Sequence, residues 1–253
     1  MNIPHSDKRF RIGASGWHYA HWRGSFYPEA LRSRDMLAWY AAHFDTVELN
    51  STFYRMPTRA AISGWLTQTP PDFRFSAKAS RFTTHAKRLL GAPASFDKYF
   101  AAIEPLRERM GPVVFQLPPR FEPNVDRPRE FIEALPEGWR YAFEFRDPRW
   151  FSAPTREALE RAGVAFCVFE IGGARSPLWR TAEFIYIRLH GPGRKYQGEY
   201  GEMGLRPWAV RIEDWAREGA EVWCYFDNDE ADYAAGDALL LARMLKAGIP
   251  VNG

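Results

Sequence analysis

Eight short runs of strand-forming residues recur along this chain, each followed by a helical or loop-like segment. This alternation limits the fold more than any other feature. The runs are RIGASGW (11–17), TVELNSTFY (46–54), FRFSAKAS (73–80), PVVFQLPP (112–119), YAFEFR (141–146), AFCVFE (165–170), FIYIRLHG (184–191) and VWCYFDN (222–228). They are rich in β-branched and aromatic residues, and several alternate at period two. Between them, PEALRSRDMLAWYAAHF (28–44) carries Leu31, Met36, Leu37 and Tyr40 near helical spacing, with Pro28 suited to a first turn. Segment 58–70 offers Thr58 as an N-cap and segment 126–138 offers Asp126. Segment 155–163 stops at Gly163, the residue type that closes a helix in the left-handed region. Segments 95–111 and 230–248 also end at glycines, and the second is the longest. After the sixth run the helical pattern fades into SPLWRTAEF, and after the seventh GPGRKYQGEYGEMG (191–204) reads as a loop in which no helix clearly starts at the glycines.

Strand and helix alternating without a linker or repeat predict a parallel sheet with right-handed crossovers. Eight such units in 253 residues match an α/β fold of one domain, a single (β/α)8 TIM-type barrel over 1–253. The doubly wound alternative usually opens on a GxGxxG turn into a helix, and GASGWHYAHWRG lacks that form. Hydrophobic residues at 46% and charged residues at 26% suit a globular domain. A net charge of +3, with both signs interspersed, permits an anionic partner without demanding nucleic acid. MNIPHSDKRF has no apolar h-region and no run of about 18 apolar residues exists, so neither a signal peptide nor a membrane span is expected. Cys167 and Cys224 lie in apolar runs without a CxxC, so no disulfide framework or zinc site is expected and a cytoplasmic location fits.

In a barrel the apolar parity of each strand faces the helices and the other parity faces inward. This puts Glu48 and Asn50 inward on the second run, Arg74, Ser76 and Lys78 on the third, and Val114 and Gln116 on the fourth. It adds Glu144 and Arg146 on the fifth, Tyr186, Arg188 and His190 on the seventh, and Gly13, Ser15 and Trp17 on the first. The sixth and eighth runs are apolar on both parities, which leaves Glu170, Tyr225, Asp227 and Asn228 as candidates without an assigned direction. Barrel interiors are normally filled by Val, Ile and Leu. Charges from several strands, mostly in their C-terminal halves, must pair or meet a ligand, because an unpaired buried charge costs several kcal/mol. The competing reading is a self-satisfied ion-pair network that only shapes the barrel.

Together GASGWHY (13–19), FDTVELNSTFYRMP (44–57), FRFSAKAS (73–80), VFQLPP (114–119), FEFR (143–146), YIRLHG (186–191) and YFDN (225–228) resemble the YecE-like family, also catalogued as domain of unknown function 72. The resemblance covers nearly the whole chain. It implies a TIM-type barrel and no particular reaction. In the last block the family commonly has two consecutive asparagines, where this chain has Asp227 and Asn228. After the sixth run it commonly has an Asp, where this chain has Glu170.

Glu48 and Glu144 are the best placed carboxylates for proton transfer, and such a pair also suits glycoside cleavage. The competing fate of each is a salt bridge to Arg146, Lys78 or Arg188. His190 is a proton carrier near neutral pH. Lys78, Arg146 and Arg188 form a cationic clamp for carboxylate or phosphate, and Lys78 has a further use as a Schiff-base nucleophile. Asn50, Gln116 and Asn228 supply polar contacts. Trp17, Trp22 and Tyr54 can stack on a sugar or base. Loop 191–204 carries Arg194, Lys195, Tyr196 and Tyr200 and reads either as a phosphate loop or as a lid. A metal held by Glu144, Glu170, His190 and Asp227 is the weaker option, since nearby cations oppose it, and His18 and His21 form no HExxH motif. The leading expectation is therefore an enzyme without cofactor or metal, acting on a small anionic, phosphorylated or sugar-containing substrate. A nucleic-acid-processing or metal-dependent barrel and a non-catalytic ligand sensor are the alternatives.

Overall fold

The computed structural model describes residues 9–91 and 93–247. Eight strands follow the predicted runs: β1 (Phe10–Ala14), β2 (Thr46–Leu49), β3 (Arg74–Lys78), β4 (Met110–Gln116), β5 (Tyr141–Glu144), β6 (Ala165–Ile171), β7 (Phe184–Leu189) and β8 (Glu221–Phe226). They form one sheet in the order β1-β8-β7-β6-β5-β4-β3-β2, whose two ends are β1 and β2. The pairs β1–β8, β3–β4, β4–β5 and β5–β6 are parallel. A two-residue strand, Ala174–Arg175, turns back antiparallel on β6. With a helix after every strand but β6, this is the (β/α)8 TIM-type fold that the alternation predicts.

Seven α-helices lie among the described residues: α1 (Met36–Ala41), α2 (Arg59–Gln68), α3 (Asp97–Ile103), α4 (Asp126–Glu133), α5 (Ala153–Ala162), α6 (Gly201–Arg217) and α7 (Tyr233–Ala247). Thr58 caps α2 by accepting from the Ala61 amide, and Gly163 ends α5 at φ +62°, both as expected. Other ends differ. Arg32 is extended and Ser33–Asp35 is a 3-10 turn, so α1 is far shorter than 28–44. Pro105 sits in a 3-10 stretch after α3, and β4 begins at Met110, before the expected stop. Asp126 is the first residue of α4 rather than its cap. The stop at Gly248 lies outside the described residues. No helix forms after β6. The largest correction is α6, which occupies the end of the presumed loop and is the longest helix described, at 17 residues. Its glycines at 201 and 204 and its Pro207 hide it from propensity. Its first turn is capped by a distant side chain instead. The Asp237 carboxylate on α7 accepts from the Tyr200 and Gly201 amides at 3.0 and 3.1 Å.

The chain divides into two compact units, each discontinuous in sequence. The first runs through Val47, takes in Phe169–Arg175 and resumes at Ile187. The second comprises Glu48–Val168 and Ser176–Tyr186. In the first unit, the edge of β1 is closed by a side chain. Because the Ser15 amide reaches Phe226 O on β8, the preceding Ala14 amide points the other way. It donates to the buried Tyr40 hydroxyl at 2.8 Å, and that hydroxyl donates on to Thr46 O on β2 at 3.1 Å. Gly13 is required there, since a Cβ would lie 2.4 Å from Thr46 O. In the second unit the apolar parity forms an aromatic layer on the helix side. Phe115 stacks on Phe143 at 5.1 Å and meets Phe131 of α4 edge-on at 5.2 Å. Phe145 stacks on Phe166 at 6.2 Å.

Candidate functional site

In the second unit the register brings the predicted polar residues onto one face. Gln116 is the direct partner of Glu144 across the β4–β5 ladder, and Lys78 is the partner of Val114 across β3–β4. Paired residues of parallel strands project to the same side. Glu48, Ser76, Lys78, Gln116 and Glu144 are all buried. Each charge has a partner. The Glu48 carboxylate accepts from the Tyr186 hydroxyl at 2.6 Å. Glu144 is paired with the Arg146 Nε, and the Cys167 thiol lies 3.9 Å from its other oxygen. The salt bridge foreseen as the competing fate of Glu144 is therefore present. The Gln116 amide nitrogen donates to Leu117 O at 2.8 Å. Asn50 opens a 3-10 turn (Ser51–Phe53) rather than continuing β2, and its Oδ1 is buried with no hydrogen-bond partner among the described residues. The same turn carries Tyr54 to the surface, 72% exposed, with its ring edge-on to Phe53. Arg74, expected inward, lies at the partly open start of β3 and donates to Pro71 O and Phe73 O.

Sequence reasoning missed His85. It sits on a π-helical turn, Phe82–Ala86, directly beyond the C-terminal end of β3. Such turns are rare and are often found at functional sites. The Phe53 ring is shared between two groups here. The Lys78 ammonium lies 4.2 Å from its centroid, and the His85 ring meets it edge-on at 5.1 Å. Burial, followed by the positive charges of Lys78, Arg81 and Arg146, holds the His85 imidazole down at about 4. These cations thus gather around one half-buried ring. No spacing signal marks His85, because the turn that presents it is set by packing.

In the first unit, Arg188 and His190 are fully buried and converge on Asp227. The His190 Nδ1 lies 3.0 Å from the Asp227 Oδ2, and the Arg188 Nη2 is 3.3 Å from both that oxygen and the Ser15 Oγ. The β1–β8 register supplies the direction that alternation left open, since Gly13 pairs with Tyr225 and so Ser15 shares a face with Asp227. The Tyr225 hydroxyl meets Thr46 Oγ1 at 2.7 Å. Tyr196 holds φ +64°, donates its amide to His190 O at 2.6 Å and sets its ring edge-on to the imidazole at 5.5 Å. Trp17 is half-buried, and its carbonyl accepts from the Tyr27 hydroxyl.

Two candidates of the first unit face the helices. Asn228 donates to Asp237 Oδ2 at 2.8 Å and to Gly198 O at 2.9 Å, while its Oδ1 is buried without a hydrogen-bond partner among the described residues. Glu170 accepts from Trp208 Nε1 of α6 at 3.1 Å and pairs with Arg175 at 2.6 Å. Its carboxylate is held by groups that ligate no cation. Among the described residues no three His, Cys, Asp or Glu side chains are grouped as metal ligands. The four residues weighed for a metal each have another partner: Glu144 takes Arg146, Glu170 takes Arg175, and His190 and Asp227 take each other. A further acid, Asp229, accepts from Trp22 Nε1 at 2.7 Å and lies 3.3 Å from His21 Nε2. Burial raises it to about 6. Cys167 and Cys224 are buried, and neither forms a disulfide among the described residues. No helix among the described residues is long and apolar enough to cross a membrane.

Parallel strands ending in buried carboxylate, amide and cationic groups define a TIM-type barrel protein with polar strand ends. The chain belongs to the family described as "Protein of unknown function DUF72", whose model matches residues 11–251. UPF0759 protein YunF of Bacillus subtilis (strain 168) is 25% identical, over 92% of this chain and 94% of YunF. UPF0759 protein YecE of Escherichia coli (strain K12) is 32% identical over 126 residues, or 49% of this chain, and the match spans less than half of YecE, 46%. The crystal structure of the DUF72 family protein TM1631 from Thermotoga maritima MSB8 is similar at TM-score 0.85 and 29% identity, covering 93% of this chain and 98% of that one. The DUF72 family protein EF0366 from Enterococcus faecalis V583 shares the fold at TM-score 0.79 and 16% identity, covering 95% and 96%.

Proposed function

We propose that the second unit carries an acid–base site for a small anionic substrate. The observation that supports it is the depression of His85 to about 4 by burial with Lys78, Arg81 and Arg146, alongside the buried Glu48 and Glu144. Cations gathered at a half-buried ring attract an anion, and arginine offers it a bidentate fork. In this reading Lys78 and Arg146 hold the anion, and the unfilled Asn50 acceptor takes a substrate hydroxyl or amine. Glu48, held by the Tyr186 hydroxyl, acts as the base. An anion that claims Arg146 frees Glu144 from its ion pair to act as the second proton carrier. In the first unit, Asp227 fixes the His190 ring through Nδ1, which leaves that unit with a proton carrier and the Arg188 cation of its own. A second reading, a non-catalytic ligand sensor, is favoured by the closure of these charges into buried pairs.

The test is a thermal-shift screen of anionic metabolites, followed by turnover assays on wild type, Glu48→Gln and Lys78→Met. A ligand at 100 Kd stabilises the folded state by about 2.7 kcal/mol, which a melting shift reads easily. Expected are hits that stabilise wild type and Glu48→Gln but not Lys78→Met, with turnover by wild type alone. A ligand bound and never changed assigns the sensor. If no anion shifts the melting temperature, the site reading fails.

A further inference from the structure

A second basic feature of the second unit lies outside the residues used above. Arg88, Arg120 and Arg127 line a cleft of ≈ 540 Å³, together with Phe121, Glu122 and Asn124. The first arginine belongs to the connection after β3. Arg120 comes from the loop after β4 and Arg127 from the first turn of α4, so the cleft is built from segments that follow strand C-termini. Its volume falls within the usual range for small-molecule sites, roughly 300–1,000 Å³.

Two of these arginines stand in backbone conformations that side chains rarely adopt. Arg88 has φ +49° and is followed by Leu89 at φ +66°, while Arg120 has φ +60°. Left-handed conformations are costly outside glycine, and persistent non-glycine examples cluster at functional sites. The surroundings account for how they persist. Leu89 is buried and its amide donates to Thr83 O at 3.0 Å, which turns Arg88 outward. Arg120 precedes the buried Phe121, whose carbonyl is held by Trp150 Nε1 at 2.7 Å. Arg127 is placed differently, its guanidinium lying 5.5 Å from the Phe121 ring centroid.

The charge balance is one-sided. Among the described residues, none of the three guanidinium groups makes an ion pair or a side-chain hydrogen bond. The carboxylate in the lining, Glu122, is 3.7 Å from Arg149 and 85% exposed. Asp126, at the start of α4, is paired with Arg129 at 2.8 Å. Three guanidinium groups lining one cleft, none paired with a carboxylate, give it a positive potential that attracts an anion.

We infer that this cleft binds the phosphoryl group of a small phosphorylated molecule, with Arg88, Arg120 and Arg127 as its ligands and Asn124 as a polar neighbour. The planar fork of arginine matches phosphate oxygens bidentately. The cleft shares no residue with the proposed acid–base site, and the inference does not depend on that reading.

The experiment is isothermal titration calorimetry at low salt with inorganic phosphate, pyrophosphate, a nucleoside monophosphate and a single-stranded oligonucleotide. The proteins are wild type, Arg88→Gln, Arg120→Gly, Arg127→Gln and Lys78→Gln. Wild type is expected to bind pyrophosphate saturably, and each arginine variant to weaken that event by about tenfold or more, as one charge-assisted contact is lost. Arg120→Gly is expected to bind weakly yet melt no lower than wild type, because glycine accepts the left-handed backbone. That separates loss of a ligand group from loss of fold. The event removed by the arginine variants should persist in Lys78→Gln, which distinguishes this cleft from the proposed acid–base site. Failure of phosphate, pyrophosphate and the monophosphate to bind would overturn the inference. So would binding that survives all three arginine variants, or binding of the oligonucleotide alone.

Discussion

Tyr40→Phe tests how the two ends of the strand path are joined. The hydroxyl is fully buried, accepts from the Ala14 amide at 2.8 Å and donates to Thr46 O at 3.1 Å. Removing it leaves no room for water and strips one partner from each backbone group. An orphaned buried donor or acceptor costs about 1–3 kcal/mol. Relief of the hydroxyl's own burial offsets part of this, so the expected loss is about 3 kcal/mol. For a chain of this size that lowers the melting temperature by about 6–12 °C. Urea unfolding followed by tryptophan fluorescence should show a lower midpoint with an unchanged slope. Gly13→Ala drives a Cβ to 2.4 Å from Thr46 O and 2.9 Å from the same hydroxyl, so it acts on the same junction. In a double-mutant cycle the two losses should therefore be clearly less than additive. A Tyr40→Phe change below about 0.5 kcal/mol, the level of an ordinary surface substitution, would refute the bridging role.

Asp237→Ala removes the acceptor shared by the Tyr200 and Gly201 amides and the Asn228 side chain. It should cost about 3 kcal/mol and selectively speed hydrogen exchange in the first turn of α6. Unchanged exchange there would show that α6 starts without its tertiary cap. His85 has a folded value of about 4 against an ordinary 6.5, so the unfolded chain binds more protons between those values. Its contribution to stability is full above about pH 6.5 and is lost as pH falls through about 4. Discounted for the partial exposure of the ring, this amounts to about 1–2 kcal/mol. Asp229, raised to about 6, works in the opposite sense and loses stability as pH rises from about 4 to 6. The readout is therefore the difference between wild type and His85→Gln across that window, and a pH-independent difference would contradict the assignment. Arg146→Met removes the ion-pair partner of the buried Glu144 carboxylate and should destabilise by about 3–5 kcal/mol at neutral pH, measured by urea unfolding.

The eight strands were legible because each is a short apolar run with local boundaries, and Thr58 and Gly163 ended their helices by chemistry within one turn. Period-two alternation also identified Glu48, Glu144 and Arg188 as inward polar residues, and all three are buried. The rest depended on partners far away in sequence. The start of α6 is set by Asp237, 36 residues after Gly201, so no local propensity reveals it. Glu170 and Asn228 look like site residues in a linear reading, yet they are held by Trp208 and Asp237 on the helix side. The directions of β6 and β8, apolar on both faces, could be read only from strand register. His85 and Arg120 escaped notice because a π-turn and a left-handed backbone present them, and both conformations are imposed by packing.

What the sequence determined by itself is the alternation of elements and hence the barrel class, since periodicity and turn chemistry act over a few residues. Which charges pair, which face helices and which gather in one cleft were decided by the tertiary structure. Those outcomes depend on distances between groups that the chain keeps tens of residues apart.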